Sequence, residues 1–357
     1  MSAVRRALLA FLTLTPLAAL SGALLCAGAA QAQDSVKPPL RGLISMGAYK
    51  FVARGTPPVN TMAPIEKVGG IFGGIVVVAS WAQLQPARGA FDPSAIDDFL
   101  KQVRAYNRRY PDAKLAVKLR VWAGFMAPDW AKNIGGAPIA TVHNGYPHTI
   151  GRFWLPRYRK AFADLQTLLA ARYDNEPLIR EVAVTQCMSY TAEPFFVPSD
   201  VLGKLQPAGL NNANFRFCLS NAVADYAAWK RTRLDFPFNV YGLGPGFGDP
   251  GFTRKVMNAC RAAIGVRCVL DNHDLDSSPP ASIVPIQTYM KQLGPEIEFQ
   301  TFHETPANFG ATIVRGVRLG ASSIELWQDF GGFPLVAKAK LQQWAKEIAV
   351  NSGNPPP

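Results

Sequence analysis

The chain has 357 residues, of which 48% are hydrophobic and 17% are charged, so it contains enough apolar material for a large folded core. Its formal net charge is +12, but the basic residues are scattered through helical stretches such as 101–109 and 152–172 rather than gathered in a block. This distribution argues against a nucleic-acid-binding protein.

The N-terminus has the pattern of a secretory signal peptide. Arg5 and Arg6 precede a long apolar run that is interrupted at Pro16, and the small residues of Ala30-Gln31-Ala32 follow at the spacing of a cleavage site. We therefore expect residues 1–32 to be removed, with a secreted or periplasmic location and no stable membrane insertion afterwards. The interruption at Pro16 makes an uncleaved membrane anchor the less favoured alternative.

Four cysteines remain after this processing, and an even number in an exported protein indicates disulfides. From proximity in the sequence we predict that Cys260 pairs with Cys268 and that Cys187 pairs with Cys218. Cys26 lies before the predicted cleavage site, and the residues preceding it lack the small side chains of a lipobox, so lipid attachment is the minor alternative. No Cys-x-x-Cys and no histidine at ligand spacing accompanies these cysteines, which argues against a zinc site.

Strand-like apolar runs alternate with helix-like segments along the rest of the chain. The predicted strands are Gly42–Met46, Gly74–Ser80, Leu115–Trp122, Val182–Thr185, Phe238–Gly242, Arg267–Leu270, Ile297–Phe302 and Ser323–Trp327. The predicted helices are Pro93–Tyr110, Pro156–Tyr173, Asn214–Leu234, Pro250–Ile264, Pro279–Leu293, Ala307–Leu319 and Pro334–Val350. Eight strands with crossovers predict an α/β fold, a single (β/α)8 TIM barrel over residues 33–350, followed by a disordered tail at 351–357.

The residues that follow each strand of such a barrel form its C-terminal rim, where barrel enzymes carry out their chemistry. The side chains predicted there as substrate contacts are Trp81, Arg120, Trp122, Trp130, Gln186, Tyr190, Tyr241, His273, Gln300, His303, Glu325 and Trp327. Carboxylates can supply acid and base, while aromatic faces hold pyranose rings. This mixture favours a carbohydrate substrate and a monomeric enzyme that needs neither cofactor nor metal.

Several segments resemble retaining glycoside hydrolases with (β/α)8 barrels of the clan A type. In WAQLQPARGAFDPSAIDDFL, residues 81–100, a tryptophan, a Pro-x-x-Gly turn and a Phe-Asp pair lead into a helix, as around the second strand of that family. Further similar segments are VWAGFMAPDW, YDNEPLIREVAV, DNHD and IELWQDF. The resemblance covers most of the chain in order through loose motifs, and it implies cleavage of O-glycosidic bonds by two glutamates with retention.

The catalytic positions of that family are altered in this chain. Family members carry the acid/base glutamate at the end of strand four, usually in Asn-Glu-Pro, and the nucleophilic glutamate at the end of strand seven. This chain has Gln186 and Gln300 at those positions, while Glu193, followed by Pro194, and Glu304 lie a few residues later. One hypothesis therefore takes Glu193 as the acid/base and Glu304 as the nucleophile. The alternative is an inactive glycan-binding barrel, because amides can neither protonate a leaving group nor form a glycosyl ester.

Charged residues within the predicted strands allow other interpretations. Strand alternation turns Glu325 away from its neighbours, toward a substrate or toward a buried partner such as Arg120, and Glu298 is expected to form a structural ion pair. Lys118 could serve an aldolase-type Schiff base, and the segment 271–274 could bind a divalent cation. We favour neither, because an exported protein seldom meets phosphorylated substrates and no His-x-His follows the first strand.

Overall fold

The computed structural model describes residues 36–46, 50–51, 58–143, 145–244, 248–302, 306–327 and 336–352, apart from the side chains of residues 50, 51, 306, 307 and 352. The predicted signal peptide and the segment 353–357 lie outside these residues. Among the described residues, no helix is both long and apolar enough to span a membrane.

Eight parallel strands close into a barrel, which confirms the predicted TIM-barrel class. In chain order, strands β1 to β8 are Gly42–Ser45, Gly74–Ser80, Ala116–Trp122, Ile179–Ala183, Arg233–Pro237, Cys268–Leu275, Ile297–Thr301 and Ser323–Leu326. Each strand pairs with its neighbours in sequence, and β8 closes the barrel against β1 with Glu325 opposite Ile44.

Helices surround the barrel, as the alternating pattern predicted. The longer ones among the described residues, α1 to α7, are Ser94–Arg109, Pro156–Tyr173, Asn212–Asp225, Pro250–Ile264, Val284–Leu293, Pro306–Arg318 and Lys338–Ala349. Shorter helices are Ala63–Glu66, Trp81–Leu84, Asp129–Lys132 and Ser199–Leu205, and 3-10 turns are Gly124–Met126, Gly265–Arg267 and Val350–Ser352. Two antiparallel pairs lie outside the barrel, Lys50–Phe51 with Pro58–Val59 and Ile139–His143 with Tyr146–Ile150.

Helix α1 illustrates how the outer layer forms. Its buried side chains recur at the spacing of one helical face, and they are Ile96, Phe99, Leu100, Val103 and Tyr106. The two arginines at 108 and 109 lie in the last turn, where positive charge interacts favourably with the helix dipole. The helix therefore buries an apolar stripe while its charged face stays in solvent.

Strand β5 begins earlier than the sequence pattern indicated. The predicted strand was Phe238–Gly242, whereas the observed strand is Arg233–Pro237. Arg233 and Asp235 alternate with apolar neighbours, and both are buried in spite of their charge. Because charged residues are usually solvated, this segment resembled the end of a helix, and α3 in fact ends well before it. As a consequence Tyr241 lies several residues beyond the strand instead of within it.

The interior of the barrel holds a network of charges. Lys118 of β3 is fully buried, and its Nζ lies 3.0 Å from Oδ2 of Asp235 and 3.2 Å from Oε2 of Glu325. Its ammonium also donates a hydrogen bond to Glu298. Two residues further along β3, Arg120 donates to both oxygens of Glu325 at 2.8 and 2.9 Å. The ion pair expected for Glu298 is therefore confirmed, and of the two alternatives for Glu325 the structure shows the buried pair with Arg120.

Lys118 keeps its charge in this environment. Burial alone would lower the pKa of Lys118, but the carboxylates of Asp235 and Glu298 raise it well above its usual value. A Schiff-base lysine needs the opposite, a lowered pKa, so the geometry argues against aldolase chemistry. The oxygens of Glu181, Asp235 and Glu298 come within 4.8 Å of one another, and Lys118 already supplies positive charge to two of these carboxylates.

Removing this ammonium should destabilise the fold strongly. Lys118→Met leaves three buried carboxylates without their shared cation, and breaking a buried ion pair costs about 3–5 kcal/mol. We expect a decrease of that size in the free energy of unfolding, measured by urea denaturation at pH 7. The matched control is Lys160→Met, which removes an exposed pair with Asp164 and should cost less than about 1 kcal/mol. Equal effects of the two substitutions would contradict the role assigned to the buried network.

Candidate active site

The loop after β4 carries Glu193 to the mouth of the barrel. Oε1 of Glu193 lies 3.1 Å from Nδ1 of His273 in β6, and Nε2 of His273 lies 2.8 Å from Oδ2 of Asp271. The Glu193 side chain is 25% exposed, whereas that of His273 is 4% exposed. We call these three residues the Glu193–His273–Asp271 chain. It joins the β4 loop to the carboxyl end of β6.

The charges within this chain stabilise one another. Burial alone would lower the pKa of His273, but Asp271 and Glu193 raise it to about 10, so the imidazole is charged at neutral pH. Burial also tends to raise the pKa of Glu193, yet the hydrogen bond and charge of His273 bring it below its ordinary value. Glu193 is therefore ionised at neutral pH. A nucleophile or base requires this state, whereas a general acid benefits from a raised pKa.

Two local constraints hold the β4 loop in place. The disulfide Cys187–Cys218 ties it to α3, and both predicted disulfide pairings are confirmed, the other being Cys260–Cys268. The second constraint is a close approach to the β3 loop at Gly124, which has a φ of +50°. A Cβ at Gly124 would lie 2.0 Å from the carbonyl oxygen of Ser189, so only glycine fits there.

The two glutamines predicted at the positions of the catalytic glutamates are enclosed in the protein. Gln186 is 0% exposed, and neither polar atom of its amide has a hydrogen-bond partner among the described residues. The same holds for Oε1 of Gln300, which shares the inward face of β7 with Glu298. Leaving buried polar atoms unpaired costs free energy, but these atoms are enclosed, so contact of the two amides with a substrate stays a prediction.

Three aromatic residues predicted as sugar contacts lie near the mouth. Trp122 ends β3 and packs edge-on against Phe125, with ring centroids 6.0 Å apart. Tyr190, in the loop that carries Glu193, stacks on the same phenyl ring at 4.8 Å and 18°. Trp327 follows β8, is 37% exposed, and donates its backbone N–H to Oγ1 of Thr301. Trp122 is only 7% exposed and Tyr190 is half-buried, so Trp327 is the most exposed of the three rings, and their contact with a sugar stays a prediction.

Two predicted substrate contacts, Trp81 and Tyr241, lie instead in the core. A helical turn capped by Ser80 starts directly after β2 and turns Trp81 toward the outer layer, where its ring meets Trp130, Tyr158 and Phe162. The hydroxyl of Tyr241 donates to the carbonyl of Pro237 at 2.6 Å. Both side chains are almost fully buried, so we withdraw them as substrate contacts. Trp130 is half-buried and donates Nε1 to the carbonyl of Gln85 at 2.9 Å.

Of the remaining predicted site residues, two lie inside the barrel and two lie outside the described residues. Arg120 and Glu325 face each other inside the barrel, while His303 and Glu304 lie outside the described residues. Sequence reasoning identified Asp271 only as a possible cation ligand and missed its contact with His273. Strand alternation holds the relevant signal, because residues two apart in a strand share one face.

Known proteins resemble this chain in structure only. No protein-family model matches the sequence, and no curated protein matches it. An exo-β-1,4-mannosidase from Opitutaceae bacterium strain TAV5 is 11% identical, covers 89% of this chain and 61% of its own, and gives a TM-score of 0.51. An endo-β-1,4-glucanase from Xanthomonas axonopodis pv. citri is 12% identical over 86% of this chain and 99% of its own, also at 0.51.

Endoglycoceramidase II from Rhodococcus sp. is 15% identical over 82% of this chain and 75% of its own, at a lower TM-score of 0.46. The matches to the mannosidase and the glucanase confirm the resemblance to glycoside hydrolase barrels at the level of the fold.

The charge on His273 should make the free energy of unfolding decrease as the pH rises above neutral. Its folded pKa of about 10 exceeds the ordinary value of about 6.5, so its contribution is complete below pH 6.5 and is lost as the pH approaches 10. The slope is at most about 1.4 kcal/mol per pH unit. Urea denaturation of the wild type and of His273→Gln from pH 6.5 to 9.5 should give a stability difference that shrinks as the pH rises. A constant difference would contradict the assigned charge.

Proposed function

We propose that this protein is a glycoside hydrolase that cleaves O-glycosidic bonds of an oligo- or polysaccharide at the carboxyl end of its barrel. The observation that carries the proposal is the Glu193 carboxylate, partly exposed at the mouth and held 3.1 Å from the charged imidazole of His273. Trp327, which follows β8 and is 37% exposed, offers an aromatic surface for a pyranose ring. The fold shared with known glycosidases supports the same function.

The environment of Glu193 favours the ionised role in the reaction. The resemblance implied an acid/base role for Glu193, but its lowered pKa suits a carboxylate that attacks the anomeric carbon or stabilises the positive charge of the transition state. We therefore assign it the nucleophilic role in a retaining mechanism. Glu304, predicted after β7, is the proposed partner that protonates the leaving oxygen and later activates water.

The reaction divides into two steps that conserve charge. In the first, an oxygen of Glu193 bonds to the anomeric carbon while the glycosidic C–O bond breaks and the leaving oxygen takes the proton of Glu304. In the second, water gives its proton to Glu304 and displaces Glu193 from the sugar. His273 stays protonated throughout and stabilises Glu193 when it is expelled as a carboxylate.

Glycan binding without cleavage is the second candidate function. It is favoured by Gln186 and Gln300, which are buried with unpaired amide atoms and align with the catalytic glutamates of the family. In the hydrolase these amides would instead bind sugar hydroxyls. The two candidates differ in one respect, since only the hydrolase depends on the charge of Glu193.

Loss of the Glu193 carboxylate should abolish hydrolysis while leaving the fold intact. Across a panel of aryl glycosides and polysaccharides, we expect Glu193→Gln to reduce kcat by at least about 10³-fold, because an amide cannot form the glycosyl ester. Glu347→Gln, on α7 in the outer layer, is the matched control and should keep full activity. Full activity of Glu193→Gln would remove this residue from the mechanism. A wild type that binds glycans and cleaves none would favour the second candidate.

The acid limb of the pH profile should report on His273. Without the imidazolium, only the side chain of Thr191 and the charge of Arg120 still oppose the effect of burial on Glu193, so its pKa rises and it protonates at a higher pH. We expect His273→Gln to move the acid limb of kcat/KM upward by about one pH unit or more, measured between pH 4 and 8. His143→Gln, which removes a contact with Asp200 instead, should leave the limb in place. An unmoved limb in His273→Gln would contradict the coupling.

A further inference from the structure

A groove runs outward from the barrel mouth on the β3 side. Two cavities of about 820 and 320 Å³ adjoin there, since Phe125 and Lys132 line both. The larger cavity lies against the 139–150 hairpin and the helix that bears Lys204, and the smaller one reaches Ser80 at the carboxyl end of β2. We call this space, with Phe125, Lys132 and Lys204 in its wall, the lysine groove.

Lys132 is the unusual residue of this groove. It is 8% exposed, yet its ammonium forms no hydrogen bond and no ion pair with any residue that the structure describes. Burial lowers the pKa of Lys132, and the carboxylate of Asp129, one turn away and exposed, opposes this effect. A buried cation without a partner is costly, and a bound anion would offset that cost.

Besides Lys132, the charged groups of the wall are the ammonium of Lys204 and the carboxylates of Asp129 and Asp200. Burial lowers the pKa of His148, and the charge of Lys132 lowers it further, so this imidazole is neutral. Its Nε2 is enclosed and has no hydrogen-bond partner among the described residues. Asp200, which also lines the larger cavity, is engaged with Nδ1 of His143 at 3.0 Å. Lys204 adds a second ammonium to the same wall.

We propose that the lysine groove is a subsite for a sugar residue that carries an anionic group, either a uronate carboxylate or a sulfate ester. The anion would sit against the ammonium of Lys132, with Lys204 beside it and Nε2 of His148 within the same wall. This inference deepens the proposed function and rests on it, because the groove opens from the same mouth. The proposed substrate is therefore an acidic glycan.

The aromatic residues connect this subsite to Glu193. Phe125 lines both cavities and lies between Trp122, at the mouth, and Tyr190, in the Glu193 loop. A glycan chain that leaves the mouth on the β3 side therefore passes Phe125 before it reaches Lys132. Such a chain places its acidic residue on the β3 side of the bond that is cleaved.

The test is binding, measured separately from cleavage. In the Glu193→Gln background, isothermal titration at 150 mM salt compares an oligogalacturonate, a sulfated oligosaccharide and a neutral cello-oligosaccharide of equal length. We expect at least one of the two acidic chains to bind at least about tenfold more tightly than the neutral one, in line with the energy of charge-assisted hydrogen bonds. Which acidic chain binds identifies the anionic group.

Substitutions then locate the anion. Lys132→Met should weaken the acidic ligand about tenfold or more without changing neutral binding, while Lys132→Arg should retain most of the affinity. The control is Lys101→Met, because Lys101 is exposed on α1 and pairs with Asp98, far from the groove in sequence and environment. Equal losses in Lys101→Met and Lys132→Met would reduce the effect to general surface charge and overturn the proposal. So would tight binding of the neutral chain alone.

The two proposals fail in different ways. If the wild type cleaves neutral glycans and Lys132→Met alters no affinity, the subsite is wrong and the hydrolase stands. If the wild type cleaves nothing while Lys132→Met still abolishes acidic binding, the subsite stands and the hydrolase is wrong. Circular dichroism of each variant confirms that the barrel is folded before either conclusion is drawn.

Discussion

The buried ammonium of Lys118 is the charge around which the barrel interior is arranged. Barrels of this fold usually fill their centre with branched apolar side chains. Here Lys118 joins carboxylates from β5, β7 and β8, and Arg120 binds the last of these a second time. These ion pairs are directional, whereas apolar side chains tolerate small shifts of one strand against the next. The four strands are therefore fixed relative to one another at the level just below the site.

Charge continues from this interior to the mouth of the barrel. Asp271 is ionised because His273, Lys118 and Arg120 together outweigh the effect of burial on its pKa. It in turn keeps His273 protonated, and His273 keeps Glu193 ionised. Signs alternate along the whole series, so the ionisation of Glu193 at the mouth depends on buried groups inside the barrel. The site and the core of this protein are one electrostatic unit.

Sequence periodicity was sufficient for the barrel and its helices, because runs of buried apolar residues mark most strands directly. It was not sufficient for β5, where Arg233 and Asp235 face inward and look like solvated residues when read locally. It also could not orient Trp81, because a helical turn begins at once after β2. The contact between Glu193 and His273 joins residues 80 positions apart and depends on a loop conformation that no local pattern encodes.

The Cys187–Cys218 disulfide lowers the entropic cost of ordering the loop at the mouth of the barrel. It closes a segment with a sequence separation of 31 that contains both Glu193 and Lys204. A cross-link of this span removes conformational freedom from the unfolded chain worth roughly 3–4 kcal/mol. Oxidation of the two thiols therefore offsets part of the entropic cost of ordering the loop that carries Glu193.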